Sequence, residues 1–485
     1  MIMAAKIDVK SIPIKFFNTE TRTKKTLKPH DDHKITIYTC GPTVYDYAHI
    51  GNYRTYIFED LLRRTLQFFG FDVVQVMNIT DVDDKTIKGA TKNNSTLEEY
   101  TKPYKDAFFE DLKTLNIEPA QFYPAATDYI DEMIKMIQGL MEKGAAYQGG
   151  DGSVYYAIDK FPRYGCLSHL KMEDLKAGAS ERVVADEYDK DNISDFVLWK
   201  RHDPKRDGNI YWDGPFGPGR PGWHLECSVM AMKILGHTID IHCGGVDNIF
   251  PHHENEIAQS EAYTGERFVR LWMHSEHLIV DNKKMSKSLG NFYTLRDLIE
   301  KGYTGTQIRF MLLHTHYKTQ LNFTFEGLEA VQHTLQRLND FVTRMQEVDA
   351  TQSDMLVAPI LEKAFRSFAE ALADDLNISV ALAAIFDMVR EINTLCDQGN
   401  ISAEEAQKVI EMMKRFDTVL GVISFESKPE EIPVELEEAL EKRNQARKDK
   451  DWGAADELRD FIISRGYVIE DTSKGPRLKK GEHAL

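Results

Sequence analysis

Residues 34–79 constrain the fold more than any other stretch of this chain. Lys34-Ile35-Thr36-Ile37-Tyr38-Thr39 alternates in polarity and is rich in β-formers, which predicts a strand. It runs into Cys40-Gly41-Pro42, a turn signal. Residues 54–69 carry Ile57, Leu61, Leu62 and Leu66 at helical spacing, and Gly70 ends that helix. Residues 72–79 are apolar and β-branched, a second strand. This order of strand, turn, helix and strand opens a doubly wound parallel sheet, an α/β fold whose ligands sit at the carboxyl ends of its strands. His49 lies at such an end.

The remainder divides by pattern. From about 119 to 219 the periodicity changes: two helices, the clearer over 129–143, lead to a hairpin at Gly149-Gly150-Asp151-Gly152, and a charged stretch runs to Asn192. This reads as an insertion between two halves of the sheet. Residues 238–242 and 278–281 are strand-like and are expected to resume the sheet. Helices are expected over 295–301 and 305–316, then as a bundle from 327 to 423. A charged, Pro-containing linker covers 427–433, and 434–485 reads as a helical hairpin with a short tail.

Bulk properties exclude several classes. The chain has 485 residues, enough for about three domains. Its 42% hydrophobic content suits a globular core, and no stretch approaches the roughly 20 apolar residues that span a bilayer. No secretory leader is evident, and five cysteines are too few and too odd in number for a disulfide framework. A reducing cytoplasm and no membrane are expected. The net charge of −17 argues against a general nucleic-acid binder. Residues 441–485 differ, with 11 Lys and Arg against 9 Asp and Glu.

Two short motifs carry the chemistry. His49-Ile50-Gly51-Asn52 stands near the first strand, and Lys284-Met285-Ser286-Lys287-Ser288 lies far downstream. Gly51 lets backbone approach a nucleotide. His49 is a ring donor, Lys284 and Lys287 can neutralise phosphate charge, and Ser286 and Ser288 add neutral hydrogen bonds. Alone, His49 could be a satisfied structural histidine and 283–288 a solvated basic loop. Together and in this order they resemble the HIGH and KMSKS signatures of class I aminoacyl-tRNA synthetases. Asn52 departs from that pattern, because an amide donates but cannot carry the charge of a histidine.

Cys40, Cys227, His252 and Glu256 offer thiolate, imidazole and carboxylate, which suit Zn²⁺. His252 and Glu256 are four apart and share a helix face. Spacing does not pair Cys40 with Cys227, and two buried structural cysteines remain the alternative. Here the resemblance narrows. Thr39–Asp46, Asn78–Lys85, Gly222–Cys227 and Phe250–Gln259 are similar to the cysteine–tRNA ligase family over nearly the whole chain.

That resemblance implies a ligase that joins L-cysteine to tRNA(Cys) through an adenylate made from ATP and Mg²⁺. It implies one Zn²⁺ per chain on Cys40, Cys227, His252 and Glu256, selecting the substrate thiol. It implies catalytic roles for His49, Asn52, Lys284 and Lys287, and ATP contacts from Gly51, Ser286 and Ser288. Trp223, His242, Asp247 and Thr80 would line the amino-acid pocket, with packing and turn roles as their alternative. Cys243 would be a bystander, and His253 would lie behind the metal or touch the nucleotide. The insertion looks too short to hold an editing domain. In the basic tail, Arg447, Trp452, Asp456 and Arg459 would meet tRNA, although the same charges suit a solvated hairpin.

The expected architecture is a Rossmann-like catalytic domain (1–118 and 220–290) interrupted by the insertion (119–219). A stem-contact region (291–326), a helical bundle (327–426) and an anticodon-binding unit (434–485) follow, in a monomer. Two rivals are a ligase of activated cysteine to an amino sugar, and a non-catalytic RNA-binding protein. The basic run from Arg443 to Arg459 disfavours the first, and the intact signature lysines disfavour the second.

Overall fold

The computed structural model describes residues 9–31, 33–170, 195–351, 356–426, 433–472 and 475–480. Residues 171–192 of the charged stretch and most of the expected linker at 427–433 fall outside these. The chain forms two compact units, Met1–Ile423 and Ser424–Leu485.

The first unit is built on a four-stranded parallel sheet. Its strands lie in the order Val269–Ser275, Ile239–Gly245, Lys34–Thr39, Asp72–Met77. The chain starts in an inner strand, moves to one edge, and returns on the other side. The order therefore reverses between Lys34–Thr39 and Ile239–Gly245, where the carboxyl ends leave a crevice. Thr39 pairs with both Met77 and Cys243 there. Strand interiors such as Ile35, Ile37, Val73, Val76, Ile239 and Ile241 are buried, because helices and loops cover both faces.

The sequence reading differs from this sheet at its edge. Residues 278–281 do not join it. Leu278–Val280 belongs to a separate small sheet, antiparallel to Lys283–Lys284 and parallel to Leu321–Phe323. Asp281 and Asn282 both have positive φ (49° and 60°), the two-residue turn that reverses the chain tightly. The edge position is taken by Val269–Ser275, whose short run Val-Arg-Leu-Trp-Met-His-Ser mixes polar with apolar residues.

The first helix runs over Ile50–Phe68, starting four residues earlier than expected. His49 caps it: its Nδ1 accepts from Asn52 N at 3.2 Å, and Asn52 Oδ1 accepts from His49 N at 3.1 Å. This reciprocal box satisfies two orphan donors, and a histidine cap gives little sequence signal. The far half of the helix meets the bundle through buried Arg309. That guanidinium bonds Asp60 Oδ2 (2.6 Å), Leu420 O (2.7 Å), Asn116 O (3.0 Å) and Leu115 O (3.1 Å).

The insertion holds the helix Ile130–Glu142 after a short 3-10 turn. The Gly-rich hairpin joins Ala146–Gln148 to Val154–Tyr156. An antiparallel sheet then continues through Phe196–Arg201 and Gly219–Pro221, which the sequence reading missed. Leu295–Glu300 and Gly305–Leu313 are helices, followed by bundle helices Phe325–Glu347, Val357–Ala373, Ile378–Asp397 and Ala403–Leu420. Leu328, Val331, Leu335, Leu338, Val342 and Met345 make one buried stripe, each such side chain contributing about 1.5–3 kcal/mol of burial.

The second unit has helices Val434–Lys448 and Trp452–Ser464. The expected short tail is a β-hairpin, Tyr467–Thr472 with Gly475–Lys480. Leu436, Ala439, Ile462 and Leu478 form its small core.

Candidate functional site

The two signature segments meet at the sheet's carboxyl edge. His49 pairs with Thr294, and Ile50 N donates to Tyr293 O, so the chain after the basic loop returns to the first helix. The His49 ring packs edge-on to Phe292. A Cβ on Gly51 would stand 3.0 Å from the His49 ring and 3.3 Å from Met285 Cε, so glycine leaves the room in which the two segments approach. Burial lowers the His49 pKa below its usual value, which keeps the ring a neutral donor.

The basic loop is internally braced. Ser286 N donates to Asn291 Oδ1 (2.9 Å), Asn291 Nδ2 to Lys284 O (3.2 Å), and the Ser286 and Ser288 hydroxyls lie 3.0 Å apart. Lys284 is exposed on the strand Lys283–Lys284. The Lys287 ammonium pairs with Asp46 Oδ2 and lies 5.0 Å from the Phe292 ring centre. Its hydrogen bond to Asp46 raises the Lys287 pKa, so it stays charged.

The candidate metal ligands converge on the same crevice. Cys40 follows the inner strand, Cys227 sits in the buried helix Trp223–Leu235, and His252 and Glu256 lie at the start of Glu254–Thr264 and its preceding turn. Ligand atoms of Cys40, His252, His253 and Glu256 lie within 4.8 Å of one another. Cys227 hydrogen-bonds Cys40 and His252. His253, expected to lie behind the metal or touch the nucleotide, is 3.3 Å from Cys40 Sγ through Nε2. Its Nδ1 is 2.7 Å from His274 Nε2, and His274 Nδ1 is 2.7 Å from Thr19 Oγ1.

Charge within this cluster is shared. The Cys40 hydrogen bond lowers Cys227 to about 6, whereas the same bond and burial raise Cys40. Burial opposes charge on His252 and Glu256, but their attraction prevails. His252 rises to about 10 beside Glu256, and Glu256 falls to about 2 beside His242 and His252. Glu256 Oε2 lies 3.0 Å from His242 Nε2, and His252 Nδ1 is 2.9 Å from His224 Nδ1.

This leaves Glu256 Oε1 and His252 Nε2 facing each other at 2.9 Å. Oε1 nevertheless has no hydrogen-bond partner, because the approach lacks the required angles. An orphaned buried carboxylate oxygen, imidazole nitrogens and the Cys40 thiol within 4.8 Å of one another, with the Cys227 thiol outside that group but hydrogen-bonded to Cys40 and His252, are donors that fit a Zn²⁺ ion, and His224 and His242 hydrogen-bond His252 and Glu256 from behind. All five cysteines are free thiols.

The remaining pocket candidates surround this cluster. Trp223 stacks obliquely on His252 (ring centres 4.2 Å apart). His242 is fully buried, with its Nε2 against Glu256. Asp247 is exposed in the turn Val246–Asn248, where it acts electrostatically on His49. Thr80 Oγ1 lies between Asn78 Nδ2 (3.0 Å) and Glu226 Oε2 (3.2 Å). In the second unit Arg447, Trp452, Asp456 and Arg459 are all exposed, Trp452 to 60%.

The sequence reading singled out neither Asp46, His224, His274 nor Glu226. Asp46, His224 and Glu226 fall inside quoted motifs, so that adjacency was the available signal. Nothing in the spacing marks His224 or His274 as partners of the helix at 254–264.

Comparison with known proteins shows the family. Residues 26–333 match the model of the "tRNA synthetases class I (C) catalytic domain". Residues 367–424 match the DALR domain, and 430–477 the "Cysteinyl-tRNA ligase anticodon binding domain". A cysteine–tRNA ligase of Protochlamydia amoebophila is 67% identical over 97% of this chain and 99% of its own length. One of Chlamydia pneumoniae is 55% identical over 96% and 98%. Methionyl-tRNA synthetase of Mycobacterium tuberculosis, solved with methionyl-adenylate, superposes with a TM-score of 0.59 at 16% identity over 80% of this chain and 88% of its own. Among the described residues no helix is long and apolar enough to cross a membrane. The chain belongs to the cysteine–tRNA ligase family of class I aminoacyl-tRNA synthetases.

Proposed function

We propose that this protein ligates L-cysteine to tRNA(Cys) through cysteinyl-adenylate, with Cys40, Cys227, His252 and Glu256 holding one Zn²⁺ that selects the substrate thiol. The observation that carries this is the convergence of two thiols, an imidazole and an orphaned carboxylate oxygen in the crevice that also receives His49 and the basic loop. Cysteine and serine differ by one atom, and shape alone separates such near-isosteres by only about 10–200-fold. A bound zinc ion supplies a soft Lewis acid that favours a thiolate over a neutral hydroxyl.

The chain's own residues account for the rest. A carboxylate oxygen of cysteine attacks the α-phosphorus of Mg²⁺-ATP, the bond to the bridging oxygen breaks, and pyrophosphate leaves. Negative charge grows on the phosphoryl oxygens, where Lys284 and Lys287 supply cations and His49 a neutral donor. Gly51 admits the nucleotide, Ser286 and Ser288 shape the loop, and Asn52 acts through the cap of His49. Trp223 walls the amino-acid side, with Asp247 and Thr80 towards the α-ammonium. The terminal 2′-hydroxyl of tRNA then attacks the acyl carbon and AMP leaves. Arg447, Trp452, Asp456 and Arg459 contact tRNA, Trp452 by stacking an unpaired base.

The test is cysteine-dependent exchange of labelled pyrophosphate into ATP, followed by transfer to tRNA. Exchange with cysteine, its absence with serine, and acylation of tRNA rather than of an amino sugar are expected. Binding of RNA without exchange would overturn the proposal.

A further inference from the structure

Beside Cys227 runs a buried polar chain of which the mechanism above uses only Thr80. Gly41 N donates to Asn78 Oδ1 at 2.9 Å, Asn78 Nδ2 donates to Thr80 Oγ1 at 3.0 Å, and Thr80 Oγ1 donates to Glu226 Oε2 at 3.2 Å. The link is tight, for a Cβ on Gly41 would fall 1.7 Å from Asn78 O. Asn78, Thr80 and Glu226 are each at most 2% exposed. The other carboxylate oxygen, Glu226 Oε1, has no hydrogen-bond partner.

A hydroxyl has one proton and two acceptor lone pairs. The Thr80 proton is committed to Glu226, and one lone pair to Asn78. The lone pair left over only accepts. A group that only accepts suits an ammonium donor and repels a carboxylate. The orphaned Oε1 adds a second unpartnered polar atom beside Cys227, the residue that follows Glu226 in the chain. An unmade hydrogen bond at a buried acceptor is unfavourable until a donor arrives.

We propose that Glu226 is a positioning residue of the amino-acid pocket, fixing the Thr80 hydroxyl as an acceptor for the α-ammonium of the substrate. This rests on the cysteine-pocket reading given under Proposed function. It divides recognition in two: the thiol end is read by the metal-ligating cluster, and the ammonium end by Thr80 with Glu226 behind it.

The test uses the full-length protein and two thiols. Cysteine carries the ammonium, and 3-mercaptopropionate keeps the thiol and carboxylate without it. In Glu226→Gln the KM for cysteine in pyrophosphate exchange should rise about tenfold or more, the scale of a hydrogen bond to a charged group. The inhibition constant of 3-mercaptopropionate, the KM for ATP and the zinc content should stay at wild-type values. Equal losses for both thiols, or no loss for cysteine, would overturn the assignment. Should Glu226→Gln fail to fold, Thr80→Val carries the test with the same two criteria. Wild-type protein without cysteine-dependent exchange would instead overturn the function itself, so the two failures are distinguishable.

Discussion

Lys287 Nζ stands 2.5 Å from Asp46 Oδ2, which pairs the ammonium of the basic loop with a carboxylate three residues before His49. Tyr47 N donates to the other oxygen of Asp46 at 2.9 Å and fixes its direction. The pair is well exposed (67% for Lys287 and 37% for Asp46), so its net worth is under about 1 kcal/mol. A resting contact that weak yields to the multiple charges of ATP phosphates. Lys287→Met is therefore expected to slow cysteine-dependent pyrophosphate exchange by about 100-fold or more, the usual loss when one stabiliser of developing charge is removed. The thermal midpoint should move by less than about 2 °C. Exchange at the wild-type rate would remove Lys287 from the chemistry.

The buried Arg309 guanidinium makes a different demand. Its four partners, three of them carbonyls of Leu115, Asn116 and Leu420, come from the catalytic half and the bundle. Arg309→Met removes the charge and leaves three carbonyls without this donor, while Asp60 keeps only Arg64 (2.8 Å) and the backbone N–H of Glu118 (2.9 Å). A loss of about 3–5 kcal/mol is expected in urea unfolding. An unchanged midpoint would show that the joint between these segments does not depend on it.

Acid should weaken the fold through His274. Burial lowers its pKa from 6.5 to about 3. The unfolded chain then binds this proton below about pH 6.5 while the folded chain does not, so stability falls as pH drops from 6.5 towards 3. The slope for one such group is about 1.4 kcal/mol per pH unit. His274→Gln should remove about one proton from the measured dependence between pH 6 and 4. Parallel curves for the two proteins would contradict it.

Trp452, 60% exposed at the start of its helix, tests the second unit. Trp452→Ala should raise the KM for tRNA about tenfold, the worth of one stacked base. Pyrophosphate exchange without tRNA should not change. A defect in exchange itself would place Trp452 elsewhere in the mechanism.

These sites were unevenly legible in the sequence. The inner strand Lys34–Thr39 and the second strand announced themselves because periodicity is local, and the placing of Cys40 and His49 followed from them. The edge strand Val269–Ser275 did not, since its composition fits several elements and only the sheet selects one. The helix start at Ile50 was hidden because its cap is a histidine, whose role depends on Asn52 reaching back. His224 and His274 support the cluster across 28 and 21 residues of chain, and Asp46 reaches Lys287 only in the folded state. Such long-range pairings leave no spacing to read. The basic tail showed its charge, yet its β-hairpin did not emerge from so short and charged a run.

The central claim is that a metal held by Cys227 and its neighbours selects the substrate by its sulfur. The most direct measurement is zinc content and pyrophosphate exchange in Cys227→Ser, with ATP binding followed in parallel. The account predicts lost zinc, cysteine activation reduced far more than ATP binding, and a narrowed preference for cysteine over serine. Metal-free Cys227→Ser protein that activates cysteine at the wild-type rate would contradict it.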